Sequence, residues 1–512
     1  MNILHVFPAF PESYWSYRTA VELIGRRALL PPLGLLTLAA LLPGHWKQRL
    51  VDENVAPVTA ADLEWADYVF VGGMGVQWVQ AKDVIARAKA AGKKVVGGGP
   101  LFLAGYALFQ EVDHFVLNEA ELTMKNFVAD LENGSAKRMY RSRDFADMTH
   151  SPTPLWGLAD LSKYALAGVQ YSRGCPFDCD FCNVTAMLGR NPRIKAAGQI
   201  IAELDALRAA GWRDRVFFVD DNLIGNKRHL RDELLPALIE WQERNGHWPL
   251  ITQASINLAD DEHLMEQMVR AGFDTVFVGV ESSDPASLEE CQKRQNRNRD
   301  LIADIKKMQR AGLEVQAGFI VGFDHDTEGT FQEQVDFIQA SGIVSAMVGQ
   351  LQAPPGTKLR TRMAMEGRLR GITLGDNTDG TTNIMPVMGV EKLRAGYAWM
   401  QGELYSPRRY YQRVKTLLKN FPNPRHRRPV TFNRWRALLR ALWQFGVTGA
   451  ERVEFWRLLA WVLRCRPQLL AHAIRLAAVG HHQRLIAERI AREASTAAAP
   501  MPMMQLPLAT MR

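Results

Sequence analysis

Two runs of strand–helix alternation constrain this chain more than any other feature of it. In residues 1–135, short apolar runs at 3–7, 48–51, 68–71 and 94–96 alternate with helical patterns such as 79–91. The last two runs end in Gly72-Gly73 and Gly97-Gly98-Gly99-Pro100. This alternation predicts a doubly wound, Rossmann-like parallel sheet. Such sheets bind ligands at the carboxyl ends of their strands. A second alternation begins at 167, with strand candidates at 168–171, 216–219, 250–254, 275–280, 314–320 and 346–351. Helical patterns at 196–210, 260–271 and 298–311 fill its gaps. A repeat of about 30–45 residues fits βα units. Six units predict an incomplete (β/α)6 barrel, since a full barrel needs about eight.

The expected organisation follows. Residues 1–135 form the doubly wound domain. Residues 136–165, with SPTPLW at 151–156, form a Pro-rich connector. Residues 166–390 form the barrel. Residues 391–494 turn helical, with a break at PNPRHRRP (422–429), and 495–512, rich in Ala, Pro and Met, are expected to be disordered. Charge divides along the same line. Between 408 and 492 there are 19 Lys and Arg against 3 Glu, so the formal +8 of the chain belongs to this segment and the remainder is acidic. The first residues, MNILHVFP, enter a strand pattern with no signal-like n-region, and no apolar run reaches the ~18–20 residues of a bilayer span. A cytoplasmic location is expected, possible also at the inner face of the membrane.

Of five cysteines, three fall within eight residues, in YSRGCPFDCDFCN at 171–183. A secreted disulfide scaffold would spread its cysteines. Thiolates hold iron–sulfur clusters. Three ligands, Cys175, Cys179 and Cys182, leave one iron of a [4Fe–4S] cubane open to a substrate or cofactor. S-adenosylmethionine fits that position through its amino and carboxylate groups, and an electron then cleaves its sulfonium. The alternatives are a zinc site short of its fourth ligand and a chance grouping. Apart from His150 there is no His within 40 residues of the motif, and no second C-x2-C exists. Cys291 and Cys465 stand alone and read as ordinary core or surface residues.

At the end of a first barrel strand, this motif resembles the radical S-adenosylmethionine superfamily. The resemblance implies that residues at later strand ends surround the cofactor. Asp220, in VDDN at 219–222, approaches the methionine amino group. Glu281, in GVES at 279–282, and Gly318 to Gly322, in GFIVGFD at 318–324, contact ribose and adenine. Phe181 takes the place of an aromatic residue near adenine. A bland reading of each is a strand-end cap or turn.

A doubly wound domain, a Pro-Pro-x-Gly-Leu turn at 31–35 and a radical barrel together resemble the cobalamin-binding members of that superfamily. Within them, residues 1–400 look most like the branch containing the hopanoid methylases. The shared strings are VDEN (51–54), GGP (98–100), GRNPR (189–193), VDDNLIGNK (219–227) and LQAPPGT (351–357). By this resemblance Gly72, Gly73, Gly98 and Gly99 border the corrin. D-x-H-x-x-G is absent; the nearest string, DEHLME at 261–266, lies on a barrel helix. Asn118 stands where relatives carry Gly, and Asn183 where Asp is common. A domain kept only as a structural lid is the alternative. Dinucleotide binding is discounted, since no G-x-G-x-x-G follows the first strand.

The expected activity is methylation of an unactivated carbon on a hydrophobic, polycyclic or isoprenoid-like small molecule. A flavodoxin or ferredoxin would supply electrons. Radical oxidation, cyclisation or rearrangement without methyl transfer is the second reading, and a non-enzymatic iron–sulfur carrier or sensor the third. In the tail, the stretches 433–443 and 455–464 combine Trp and Arg at helical spacing. They read as a cap on the barrel or as interfacial helices on anionic lipid, and nucleic-acid binding is not expected. The chemistry-bearing strings all precede residue 360, so the region after 430 is expected to be dispensable for cofactor cleavage.

Overall fold

The computed structural model describes residues 1–373, 375–376, 378–424 and 432–496. The tail read as disordered lies outside them from residue 497 onward. Six parallel strands form the first sheet: β1 (Asn2–Phe7), β2 (Lys47–Asp52), β3 (Tyr68–Gly72), β4 (Lys94–Gly98), β5 (His114–Val116) and β6 (Met139–Tyr140). Their order is β2-β1-β3-β4-β5-β6. Successive residues point to opposite faces. Leu4, Val69, Val95 and Phe115 bury into one apolar cluster, and Ile3, Phe70, Val96 and Val116 into another. A sheet that is apolar on both faces must be covered by helices on both, which is the doubly wound arrangement. β5 and β6 escape the periodicity because they are two or three residues long.

The second sheet is β7 (Ala167–Val169), β10 (Val216–Phe218), β11 (Leu250–Gln253), β12 (Phe273–Glu281), β13 (Glu314–Val321) and β14 (Ala346–Gln350), all parallel and adjacent in that order. Between β7 and β10 a small antiparallel hairpin, β8 (Ser172–Arg173) with β9 (Arg193–Ile194), carries the cysteine loop. Among the described residues β7 and β14 do not pair, so the half-barrel has two open edges. Unpaired edge groups need partners. At β7, the stretch 28–29 runs alongside: Ala28 bridges Tyr164, and the Leu166 amide donates to the Leu29 carbonyl at 2.8 Å. At β14, the helix Val390–Tyr405 supplies donors. Tyr397 and Gln401 donate to the Val348 carbonyl at 3.0 and 3.2 Å, and Tyr405 to that of Ala346.

The C-terminal helices are therefore part of the barrel's fabric up to Asn420, and beyond it. The helix Leu470–Thr496 lies along Val390–Tyr405, and its His482 donates from Nε2 to the Ser13 carbonyl at 3.1 Å. Its Arg475 and His472 meet Glu314 at the start of β13. The region after 430, expected to be dispensable for cofactor cleavage, is packed into the barrel, and its removal would leave Glu314 buried without the Arg475 charge and the His472 contact. Burial opposes ionisation of this carboxyl, yet Arg475 and His472 hold it well below the usual range. Arg475→Ala should cost about 3 kcal/mol, less than a fully buried pair because the arginine is 35% exposed. Urea denaturation measures this. A depressed carboxylate stabilises above its unfolded pKa and loses that contribution on acidification. The stability difference between wild type and Glu314→Gln should therefore shrink as pH falls below the ordinary glutamate range.

Candidate active site

Gly174 opens the cysteine loop with φ of +98°, where a Cβ would sit 2.9 Å from the carbonyl oxygens of Gly189 and Asn191. Only glycine fits this turn. Cys175 then donates its amide to Gly189, and Cys182 to Cys179. The Asp180 amide donates to the Cys291 carbonyl, and the Leu359 amide to that of Asp180, which ties the loop to the barrel wall. Burial pushes the Cys182 thiol up to about 12 and raises Cys175 and Cys179. Each of the three feels the charge of Lys293, which opposes that rise. Gln295 points its amide nitrogen at Cys179 Sγ, 3.9 Å away. Three converging thiols with an ammonium and an amide donor suit an anionic iron–sulfur cluster. Among the described residues no three ligand side chains close on a single ion. A cubane does not require this, since each thiolate binds its own iron.

The strand-end residues gather around this loop. Asp220 is fully buried, and both its oxygens are engaged by Tyr171 and Ser172: the Tyr171 amide at 3.1 Å and the Ser172 hydroxyl at 2.6 Å. Burial raises its carboxyl to about 6. Its contacts hold the cysteine hairpin. Asp221 beside it is also raised to about 6, by burial and then by Asp220. Glu281 ends β12 at a register shift with φ of +66°, a conformation costly for a non-glycine residue. There it pairs with Lys293 at 2.6 Å. Gly279 leaves the room for that pair, since a Cβ would lie 2.3 Å from Glu281 Oε1 and 2.7 Å from Lys293 Nζ. Gly318 lies across from Phe277 and Glu281, and Gly322 turns at φ +107° with its amide on Asp326. Phe181 is half-buried, with Lys293 6.0 Å above its ring. Cys291 is buried beside the loop and Cys465 is exposed.

The first sheet turns its carboxyl edge to the same place. Gly72, Gly73, Gly98 and Gly99 line that edge. A Cβ on Gly98 would lie 3.0 Å from the Val116 carbonyl, and one on Gly73 3.0 Å from Gln77 Oε1. Asn118 follows β5 at φ +65° with a buried, unpartnered Oδ1. The turn at 31–35 lies between the sheets, with Leu35 against Gly72 and Leu33 within reach of Gly168. A glycine-lined shelf with an orphaned acceptor suits a large polar-edged cofactor. His5 is held mid-strand by Gln48 and His114 opens β5 at the opposite end, so neither reaches the shelf.

Sequence reasoning missed what joins the two parts. Glu119 and Glu121, directly after Asn118, grip the cysteine hairpin. Glu119 accepts from Arg193 at 2.9 Å and Arg173 at 3.2 Å, and Glu121 from Arg173 at 2.9 Å. All four side chains are at most 15% exposed. Lys293, Gln295 and Asn296 were missed as well, because they sit on a short irregular turn without periodicity. Four carboxylate and guanidinium groups in LNEAE, YSRG and NPRI were the available signal.

Comparison with known proteins agrees with this geometry. The radical SAM superfamily matches residues 169–338, and a domain of unknown function, DUF4070, matches 357–496. An uncharacterised methyltransferase of Synechocystis sp. is 39% identical over 490 residues, covering 94% of this chain and 91% of its own. The hopanoid C-2 methylase of Rhodopseudomonas palustris is 35% identical over 470 residues, covering 89% and 88%. The solved cobalamin-dependent S-adenosylmethionine radical enzyme OxsB, with aqua-cobalamin bound, superposes with a TM-score of 0.59 over 96% of this chain and 80% of its own, at 15% identity. With two relatives of this identity along nearly its whole length, the chain belongs to the radical S-adenosylmethionine enzymes, in the branch that includes the hopanoid methylases.

Proposed function

We propose that this enzyme is a cobalamin-dependent C-methyltransferase acting on a hydrophobic, hopanoid-like or other polycyclic substrate. The observation that carries this is the juxtaposition of a glycine-lined shelf with the cysteine loop across the buried Glu119–Arg193 junction. When bound, the cluster supplies the electron that cleaves S-adenosylmethionine, and the corrin carries the methyl group. The rest falls to this chain's residues. Cys175, Cys179 and Cys182 hold the cluster. Lys293 and Gln295 offset its negative charge. Glu281, fixed by Lys293, and the backbone at Gly318 and Gly322 receive ribose and adenine beside Phe181. Asp220, the residue expected near the methionine amino group, has its oxygens engaged by Tyr171 and Ser172 and keeps the hairpin in register with β10; Asp221, buried beside it and close enough to act on Cys175, would be the carboxylate left for that amino group. Gly72, Gly73, Gly98 and Gly99 would let the corrin lie against backbone, and the unpartnered Asn118 Oδ1 would offer it an acceptor. The hydrophobic substrate enters a lumen where Phe217, Ile251 and Phe277 are half-exposed although their strand neighbours are buried.

The name hopanoid C-2 methylase and the structure of a cobalamin-bound enzyme support this reading. An acidic flavodoxin or ferredoxin delivers the electron. A cavity of about 370 Å³ beside Pro176 and Phe177 suits its approach, with Arg190, Arg294 and Lys358 at its rim against one acid, Asp178. A substrate of this class partitions into lipid, and the enzyme accordingly works as a peripheral protein at the inner membrane face. No helix among the described residues is long and apolar enough to cross a membrane.

Cys175→Ala, Cys179→Ala and Cys182→Ala should each lose the cluster, while Cys291→Ala and Cys465→Ala keep it. Iron and sulfide content with the visible spectrum decides, and a full cluster in the Cys179 variant would sink the assignment. Gly73→Val and Gly98→Val should bind hydroxocobalamin at least ~10-fold more weakly with iron content unchanged. Paramagnetic resonance of the reduced corrinoid should show no imidazole nitrogen. With a mixture of hopenes as substrate, isotope from the methyl of S-adenosylmethionine should appear in product. Turnover without that label would favour an oxidation or rearrangement instead.

A further inference from the structure

The helices Phe432–Trp443 and Arg452–Cys465 form a hairpin within the domain of unknown function. Their inner faces bury Ala441, Phe455, Leu458 and Val462, and the segment between them buries Phe445. Their outer faces are also apolar. Trp435, Leu439 and Trp443, spaced four apart, are 54%, 61% and 64% exposed. Val453, Trp456 and Leu463 on the second helix are 54%, 49% and 56% exposed. Nineteen large apolar side chains are exposed among the described residues, and seven lie between 435 and 463. A concentration of this kind marks an interaction surface rather than ordinary surface scatter. Trp461, also within the stretch 455–464, packs partly against the core instead.

The two stripes meet at the elbow. Trp456 covers Gly446, where a Cβ would touch its ring at 3.0 Å, and its Nε1 donates to the Gly446 carbonyl at 2.9 Å. The indole can therefore enter an apolar phase without stranding its N–H. Charge on this surface has one sign. Arg436, Arg440, Arg452, Arg457 and Arg464 are exposed. The acids between 432 and 465 are Glu451, buried against His481 and Arg484, and Glu454, bound to Arg457 at 2.7 Å. We propose that this hairpin is a docking surface for an anionic lipid bilayer, with its tryptophans and leucines entering the headgroup boundary and its arginines on lipid phosphates. Trp and Arg side by side on an interfacial helix suit that occupant. A protein partner for so basic a face would have to be acidic and apolar together.

Residues 15–24 lie between this surface and the barrel. Arg440 donates to the Leu23 carbonyl, which places exposed Ile24 beside the first helix. Nine residues earlier, Trp15 is 46% exposed and lies 5.5 Å from the Phe277 ring inside the barrel. Nine residues reach at most ~30 Å. A lipid-dissolved substrate would thus enter from the bilayer along residues 15–24.

This inference rests on the peripheral-membrane reading, and the two fail differently. The test is co-sedimentation of holoenzyme with phosphatidylcholine vesicles, with and without phosphatidylglycerol, at low and high salt. Wild type should bind the anionic vesicles, weaken with salt and keep a salt-resistant fraction. Leu439→Glu/Trp443→Glu should lose at least ~10-fold at both salts with melting temperature and iron content unchanged. Arg436→Gln/Arg464→Gln should lose only the salt-sensitive part. No binding by wild type overturns the peripheral reading itself. Undiminished binding by Leu439→Glu/Trp443→Glu overturns this surface and leaves that reading standing. A wild-type dimer that the same variant dissolves would give the face to a second copy of the chain and overturn the lipid assignment.

Discussion

Everything at the centre of this molecule depends on four buried charges. Glu119 and Glu121 come from the first sheet, and Arg173 and Arg193 stand at the two ends of the cysteine loop. Each arginine also serves its own segment: Arg193 donates to the carbonyls of Leu188 and Ala146, and Arg173 to Gln170. The group is electrically neutral, and its hydrogen bonds are mostly charge-assisted and forked. Desolvating such groups is costly, and removing one partner costs more than the pair contributes, about 3–5 kcal/mol. Its value is therefore geometric. It fixes the loop that carries the three thiols to the residue that follows Asn118 on the glycine shelf. The glycine-lined shelf and the cysteine loop are thereby fixed relative to one another.

The half-barrel poses the opposite problem. Six parallel strands leave two edges, and an open edge invites pairing with other chains. Closing the barrel would solve this and fill the lumen with side chains. This chain covers the edges with other parts of itself. Residues 28–29 of the first domain run beside β7, while Tyr397, Gln401 and Tyr405 occupy the carbonyls of β14. On the inner face of the half-barrel Phe217, Ile251 and Phe277 remain only partly buried, although their strand neighbours are buried.

How much of this could be read from residues alone follows from how far each constraint reaches along the chain. Cys175, Cys179 and Cys182 lie on one loop within eight residues, so spacing alone brings them together. All six barrel strands were legible within two or three residues, because a strand buried on both faces is a continuous apolar run. β6 is two residues long and carries no such run. Asp220 was found by its place at a strand end, but its engagement with Tyr171 and Ser172 depends on a hairpin 48 residues upstream. Glu119 and Arg193 are 74 residues apart, and neither sits in a pattern that points to the other. Glu314 with His472 and Arg475 spans about twice that distance. Composition there suggested a solvated cationic face, whereas the fold sets Arg475 and His472 against buried Glu314.

The same distinction separates the two uses of arginine in the C-terminal region. Arg413 and Arg466 are structural. Arg413 is fully buried and donates to the Leu404 carbonyl and to Gln339, and Arg466 closes the end of the helix Pro407–Asn420 on the carbonyls of Leu418 and Lys419. Both satisfy groups that would otherwise be orphaned. Arg457 and Arg464 lie outward on the hairpin, with no carbonyl of the core to serve. A chain that needed these cations only for solubility would not set them beside Trp443 and Trp456, since exposed indoles work against solubility. Tryptophan and arginine together make physical sense where one phase is apolar and its boundary anionic. The helix Leu470–Thr496 links that hairpin to the barrel: it packs on the hairpin at one face, and at another holds Ser13 and Glu314 through His482, His472 and Arg475. The exposed Trp–Arg hairpin and β13 are thus braced by one continuous helix.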